Sequence, residues 1–116
     1  MKSLRIILFI ALSFAGISLF AQERTDSFTV YGNCGMCKSR IEKAAKAEGA
    51  TAALWNKDTK IMTVTYDASK TSNEAIQKKI ASVGHDTEQF TAPEKVYEKL
   101  PGCCLYERKA DTKKSD

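Results

Sequence analysis

The chain has 116 residues, with 18 lysines and arginines, 14 aspartates and glutamates, and a formal net charge of +4. This length allows one domain with a modest core. Basic residues are scattered among acidic ones, so the sequence lacks the clustered positive charge of a nucleic-acid-binding protein.

The first 21 residues are predicted to be a secretory signal peptide. Lys2 and Arg5 precede an almost wholly apolar run over residues 6–20, and Ala21-Gln22 is the expected cleavage point. An uncleaved anchor is the alternative, although the run is short for a membrane-spanning helix of about 20 residues. The mature protein is therefore expected to be periplasmic or secreted.

Cys34 and Cys37 form a Cys-x-x-Cys motif. Residues 27–31 before it alternate like a strand, and residues 36–47 after it have the apolar spacing of an amphipathic helix. Backbone N–H groups at a helix N-terminus favour a thiolate over a thiol. Thiolates are the donors used by soft-metal sites and by redox dithiols, and the motif alone leaves both open.

The order of strand and helix recurs in the rest of the domain. Residues 50–55 and 61–66 predict a β-hairpin, and Thr71-Ser72-Asn73-Glu74 is a capping-box pattern that begins a second helix. Residues 86–90 are the predicted last strand. The βαββαβ order predicts an α+β, ferredoxin-like sandwich with a four-stranded antiparallel sheet and two helices on one face. In that topology His85 comes to the end of the domain that holds the two cysteines.

We assign residues 22–91 to this domain, 92–107 to a C-terminal extension and 108–116 to a disordered tail. The extension contains the adjacent pair Cys103 and Cys104, which would strain the backbone if bonded to each other. Four hypotheses remain for the pair. It completes a thiolate-rich site with the first motif, forms bridges elsewhere or to a partner chain, makes a separate metal or transfer site, or consists of inert thiols.

The motif and its setting resemble a known family. Residues 32–37 and 38–45 are similar to the metal-binding turn and first helix of heavy-metal-associated domains, and residues 64–67 and 81–85 to their third strand and second-helix end. The resemblance implies a ferredoxin-like fold that binds a soft metal through both cysteines. Many members have Met where this chain has Gly32, and many copper-binding members have Tyr where it has His85.

These patterns predict a metal carrier and not an enzyme. Cys34 and Cys37 are the expected ligands, with Met36, His85, Cys103 and Cys104 as possible accessory groups. Cu(I) is the favoured ion, and Hg(II) or Zn(II) are alternatives. A monomer would pass the ion to a metal transporter or another metal-accepting protein by thiolate exchange. The alternatives are a scavenger of mercuric, zinc or cadmium ions and a thiol–disulfide redox protein.

Overall fold

The computed structural model describes residues 22–109, so the predicted signal peptide and residues 110–116 lie outside it. The elements, in chain order, are β1 (Glu23–Thr29), α1 (Gly35–Ala47), β2 (Ala50–Trp55), β3 (Ile61–Asp67), α2 (Asn73–Ser82) and α3 (Glu94–Glu98), followed by a 3₁₀ turn at Gly102–Cys104. Within residues 22–109, no helix is long and apolar enough to cross a lipid bilayer.

The three strands form one antiparallel sheet in the order β1-β3-β2. Along β3, the buried Met62, Val64 and Tyr66 alternate with the more exposed Thr63 and Thr65. This period of two gives the sheet one buried face. The helices cover that face with small and branched side chains, namely Ile41, Ala44, Ala45, Ile76 and Ile80.

Both main helices begin where the sequence predicts. Cys34 is the N-cap residue of α1. Ser72 is the N-cap residue of α2, and its hydroxyl accepts a hydrogen bond of 3.1 Å from the Ala75 N–H. These caps place the Cys-x-x-Cys motif at the junction of the loop after β1 with the first turn of α1.

The predicted fourth strand is reduced to a single bridge, between Val30 and Thr87. The bridge is antiparallel and lies beside the end of β1, as the ferredoxin-like order requires. Pairing then stops because the Thr87 N–H donates to the Phe90 carbonyl at 2.8 Å, and the Thr87 hydroxyl accepts from the Phe90 N–H at 3.0 Å. The predicted fold class is confirmed, but in the described residues its sheet has three full strands and not four.

Candidate metal centre

The Cys-x-x-Cys loop holds its two sulfurs close together. Cys34 has an extended backbone and is half-buried, while Cys37 lies in the first turn of α1 and is fully buried. Their Sγ atoms are 3.3 Å apart. The Asn33 N–H points at the Cys37 Sγ at 3.4 Å, so a backbone donor already faces this sulfur.

The C-terminal extension brings two more sulfurs to the same place. The Sγ of Cys34 lies 3.4 Å from that of Cys103 and 3.3 Å from that of Cys104. The Cys103 and Cys104 sulfurs are 3.8 Å apart, and the Sδ of Met36 is 3.6 Å from the Cys103 Sγ. The sulfurs of Cys34, Cys37 and Cys104 all lie within 4.8 Å of one another. We call the four cysteines the thiol cluster; none of them forms a disulfide.

The thiols of the cluster differ in acidity. Burial opposes ionisation of Cys34, but hydrogen bonds with the Cys37 amide and with the three neighbouring thiols lower its pKa to about 6. Burial raises the pKa of Cys104, and its hydrogen bonds to the other thiols raise it further. The pKa of Cys103 is also raised, chiefly because its thiol hydrogen-bonds to Cys34. At neutral pH Cys34 is therefore ionised, whereas Cys103 and Cys104 keep their protons.

We expect Cys34 of the reduced, metal-free protein to react with iodoacetamide with a pH midpoint near 6, well below the roughly 8.5 of an ordinary thiol. Peptide mapping by mass spectrometry gives this profile, and Cys103 should react only at higher pH. An alkylation midpoint for Cys34 at or above that of Cys103 would contradict the assignment of the acidic thiol to Cys34.

Because the Cys34 pKa falls on folding, ionisation of Cys34 contributes to the stability of the folded protein. This contribution is present above the unfolded pKa and is lost as the pH falls through about 6.

The Trp55 ring packs against the loop that precedes Cys34. A Cβ added at Gly32 would lie 3.0 Å from the Cη2 of Trp55 and 3.1 Å from the Cβ of Cys37. The indole Nε1 donates to the Val30 carbonyl at 2.9 Å, and the Lys60 ammonium, 5.5 Å from the ring centroid, donates to the Gly32 carbonyl. The large ring therefore occupies the space beneath the loop, which explains why a residue without a side chain stands at position 32.

His85 lies at the predicted end of the domain but does not join the thiol cluster among the described residues. Its ring is fully buried, with Nδ1 2.8 Å from the Tyr31 carbonyl oxygen, and it stacks on Tyr106 at 5.3 Å between centroids. Burial is the main cause that lowers its pKa, so the imidazole is neutral at pH 7 and its Nδ1–H donates to Tyr31. In this structure His85 packs the extension against the domain.

Tyr106 and Arg108 hold the extension in place. The Tyr106 hydroxyl donates to the Gly84 carbonyl at 2.8 Å and accepts from the Asp86 N–H at 2.7 Å. Arg108 binds the buried Asp86 carboxylate through two nitrogens, at 2.8 and 3.0 Å. Its guanidinium also lies 4.7 Å from the Tyr97 ring centroid. Sequence analysis placed Arg108 in a disordered tail, whereas its side chain is 8% exposed and paired with Asp86. These anchors were missed because isolated polar and aromatic residues in a charged segment carry no periodic signal.

The model of the heavy-metal-associated domain matches residues 32–100, more than half of the chain. The chain belongs to the heavy-metal-associated domain family. The match starts in the loop before Cys34 and continues past His85 into the extension. No curated protein sequence matches the chain significantly.

Solved structures agree with this family. A CopZ metallochaperone is 32% identical, with a TM-score of 0.53, over 55% of this chain and 98% of that chain. Oxidized MerP from Ralstonia metallidurans CH34 is 29% identical, with a TM-score of 0.53, over 57% of this chain and 94% of the MerP chain. The water-soluble region of the P-type ATPase CopA from Bacillus subtilis is 36% identical, with a TM-score of 0.52, over 56% of this chain and 44% of the CopA chain.

The family match and these neighbours confirm the ferredoxin-like fold and the prediction of a metal-binding domain that is not an enzyme. The donor set agrees with the same conclusion, because a cluster of thiols suits a soft metal ion.

Proposed function

We propose that this protein carries Cu(I) on Cys34 and Cys37 and passes it to a metal transporter or another metal-accepting protein. The observation that carries the proposal is the pair of sulfurs 3.3 Å apart at the N-terminus of α1, one of them half-buried. Soft thiolates select Cu(I) over harder ions. The acidity of Cys34 supplies one thiolate at neutral pH without a metal present.

Transfer would proceed by ligand exchange. A thiolate of the acceptor adds to the bound ion and makes a three-coordinate intermediate, and then Cys34 or Cys37 leaves. Cys34 is the ligand that an acceptor can approach, because Cys37 has no exposed surface. Similarity to a CopZ metallochaperone and to the CopA ATPase region supports a copper carrier that delivers to a transporter.

The carrier would act outside the cytoplasm as a monomer. This location rests on the signal peptide predicted for residues 1–21. Hg(II) is the alternative cargo, because it also accepts two sulfurs and because MerP is among the similar structures. A thiol–disulfide redox protein is the alternative that needs no metal.

Anaerobic titration with Cu(I) tests the proposal. The reduced protein without residues 1–21, which keeps every residue that the structure describes, is mixed with Cu(I) in an excess of glutathione, and native mass spectrometry reads the bound metal. We expect Cu(I) to remain on the protein and to move to bathocuproine disulfonate when that chelator is added. The same titration with Hg(II) compares the two ions. Loss of Cu(I) to glutathione, with Hg(II) retained, would overturn the copper assignment; loss of both ions would overturn the carrier and favour the redox protein.

A further inference from the structure

The C-terminal extension packs against the domain and contributes buried side chains to its core. Cys104 has no exposed surface and Tyr106 is 2% exposed. Leu100 lies against Gly84, where an added Cβ would be 2.9 Å from the Leu100 Cδ2, and Gly84 has a φ of +113° that also favours glycine. The sulfurs of the extension therefore have defined positions over the first motif.

Three sulfurs, those of Cys34, Cys37 and Cys104, lie close enough to share one ion. The exposed Cys103 sulfur adjoins those of Cys34 and Cys104. A tetrahedral ion with metal–sulfur bonds of about 2.3 Å needs sulfurs about 3.8 Å apart, whereas a linear two-coordinate ion with similar bonds needs about 4.6 Å. Cys34 has three sulfur neighbours at 3.3, 3.4 and 3.3 Å, and the Cys103 and Cys104 sulfurs are 3.8 Å apart. Around Cys34, a tetrahedral ion thus needs a smaller increase in the sulfur–sulfur distances than a linear ion does. The exposed Cys103 lies outside the group of sulfurs within 4.8 Å of one another and has to shift toward Cys37 to complete the set of four.

We propose that Cys103 and Cys104 join Cys34 and Cys37 in one four-thiolate site that takes a thiophilic divalent ion of the zinc and cadmium class. This inference rests on the proposed function, because it extends the metal site already assigned to the first motif. With two ligands from the loop and two from the extension, the site binds an ion that a two-thiolate loop alone leaves with open positions. The extension also encloses the ion, since Cys37 and Cys104 are buried, and so it slows release.

Cadmium is the probe for this site. The reduced protein without residues 1–21 receives one equivalent of Cd²⁺, and X-ray absorption spectroscopy counts the sulfur neighbours of the ion. We expect four sulfurs. Alkylation followed by peptide mapping provides a second reading, because Cys103 is exposed in the metal-free protein and should become unreactive when Cd²⁺ binds.

The Cys103→Ser variant is the safer test, since this side chain is exposed and its replacement leaves the core unchanged. We expect three sulfur neighbours in it, and two in the Cys103→Ser, Cys104→Ser double variant. The double variant should bind Cd²⁺ at least about 100-fold more weakly, since the loss of outer-shell partners alone costs about 10–100-fold. Lys99→Ala, an exposed change on the same extension, is the matched control and should behave like the unaltered protein.

The outcomes separate this inference from the proposed function. Two or three sulfur neighbours in the unaltered protein, with Cys103 still reactive, would overturn the four-thiolate site and leave Cu(I) binding by the first motif intact. If the unaltered protein retained neither Cd²⁺ nor Cu(I), both the four-thiolate site and the proposed Cu(I) carrier would be overturned.

Discussion

Replacing Cys34 by serine is expected to abolish tight Cu(I) binding while the fold is retained. The Cys34 Sγ is in contact with the sulfurs of all three other cysteines, so its loss removes the centre of the cluster. A neutral serine hydroxyl is a hard donor that Cu(I) disfavours. We expect an affinity at least about 100-fold lower, above the range for loss of an outer-shell partner. Competition with bathocuproine disulfonate measures this change.

Stability should not fall in the same variant at about pH 5, below the Cys34 pKa of about 6, where ionisation of Cys34 contributes nothing to folding. Cys34 is the N-cap residue of α1 and its side chain makes no capping hydrogen bond. Serine is among the favoured N-cap residues, so Cys34→Ser keeps or slightly raises the stability of the helix start. Thermal unfolding checks this point, and Cys103→Ser is the matched comparison for Cu(I), with a smaller loss expected. If Cys34→Ser held Cu(I) as tightly as the unaltered protein, the copper site would not be centred on the first motif.

Replacing Arg108 by alanine is expected to destabilise the protein by about 3–5 kcal/mol, the usual cost of removing one partner from a buried ion pair. The Asp86 side chain is fully buried and that of Arg108 is 8% exposed, so the variant leaves a buried carboxylate without its two-nitrogen partner. The cation–aromatic contact with Tyr97 is lost as well. Chemical denaturation followed by circular dichroism gives the change in unfolding free energy.

Two further variants make this experiment specific. Arg108→Lys keeps the charge but cannot bind the carboxylate through a planar fork, so an intermediate loss is expected. Lys99→Ala is exposed and should change stability by no more than about 0.5 kcal/mol. If Arg108→Ala were as stable as Lys99→Ala, the extension would not be anchored through Asp86.

The elements with local signals were predicted well. The capping box at Ser72 begins α2 at Asn73, and the alternation of Met62, Val64 and Tyr66 marks the buried face of β3. The resemblance carried by Cys34 and Cys37 is confirmed at the level of the family. These features depend on residues close in sequence, whose spacing sets which side chains share a face.

The site itself depended on contacts between distant residues. Trp55 replaces the missing side chain at Gly32, and His85 packs on Tyr106 and does not join the thiols. The predicted fourth strand ends at Thr87 because the N–H and hydroxyl groups of Thr87 form hydrogen bonds with the backbone of Phe90, which should have continued the strand. None of these outcomes follows from local spacing, since each pairs residues from separate elements.

The sequence by itself determined the order of elements, the position of the first two cysteines at a helix start and the family. Only the tertiary structure placed Cys103 and Cys104 beside Cys34, which supports a shared thiolate-rich site among the hypotheses for this pair. The physical reason is that a buried ion pair between Arg108 and Asp86, with the Tyr106 hydroxyl bonded to Gly84 and Asp86, docks the extension. Such a contact joins residues 22 positions apart and leaves no periodic pattern in the chain.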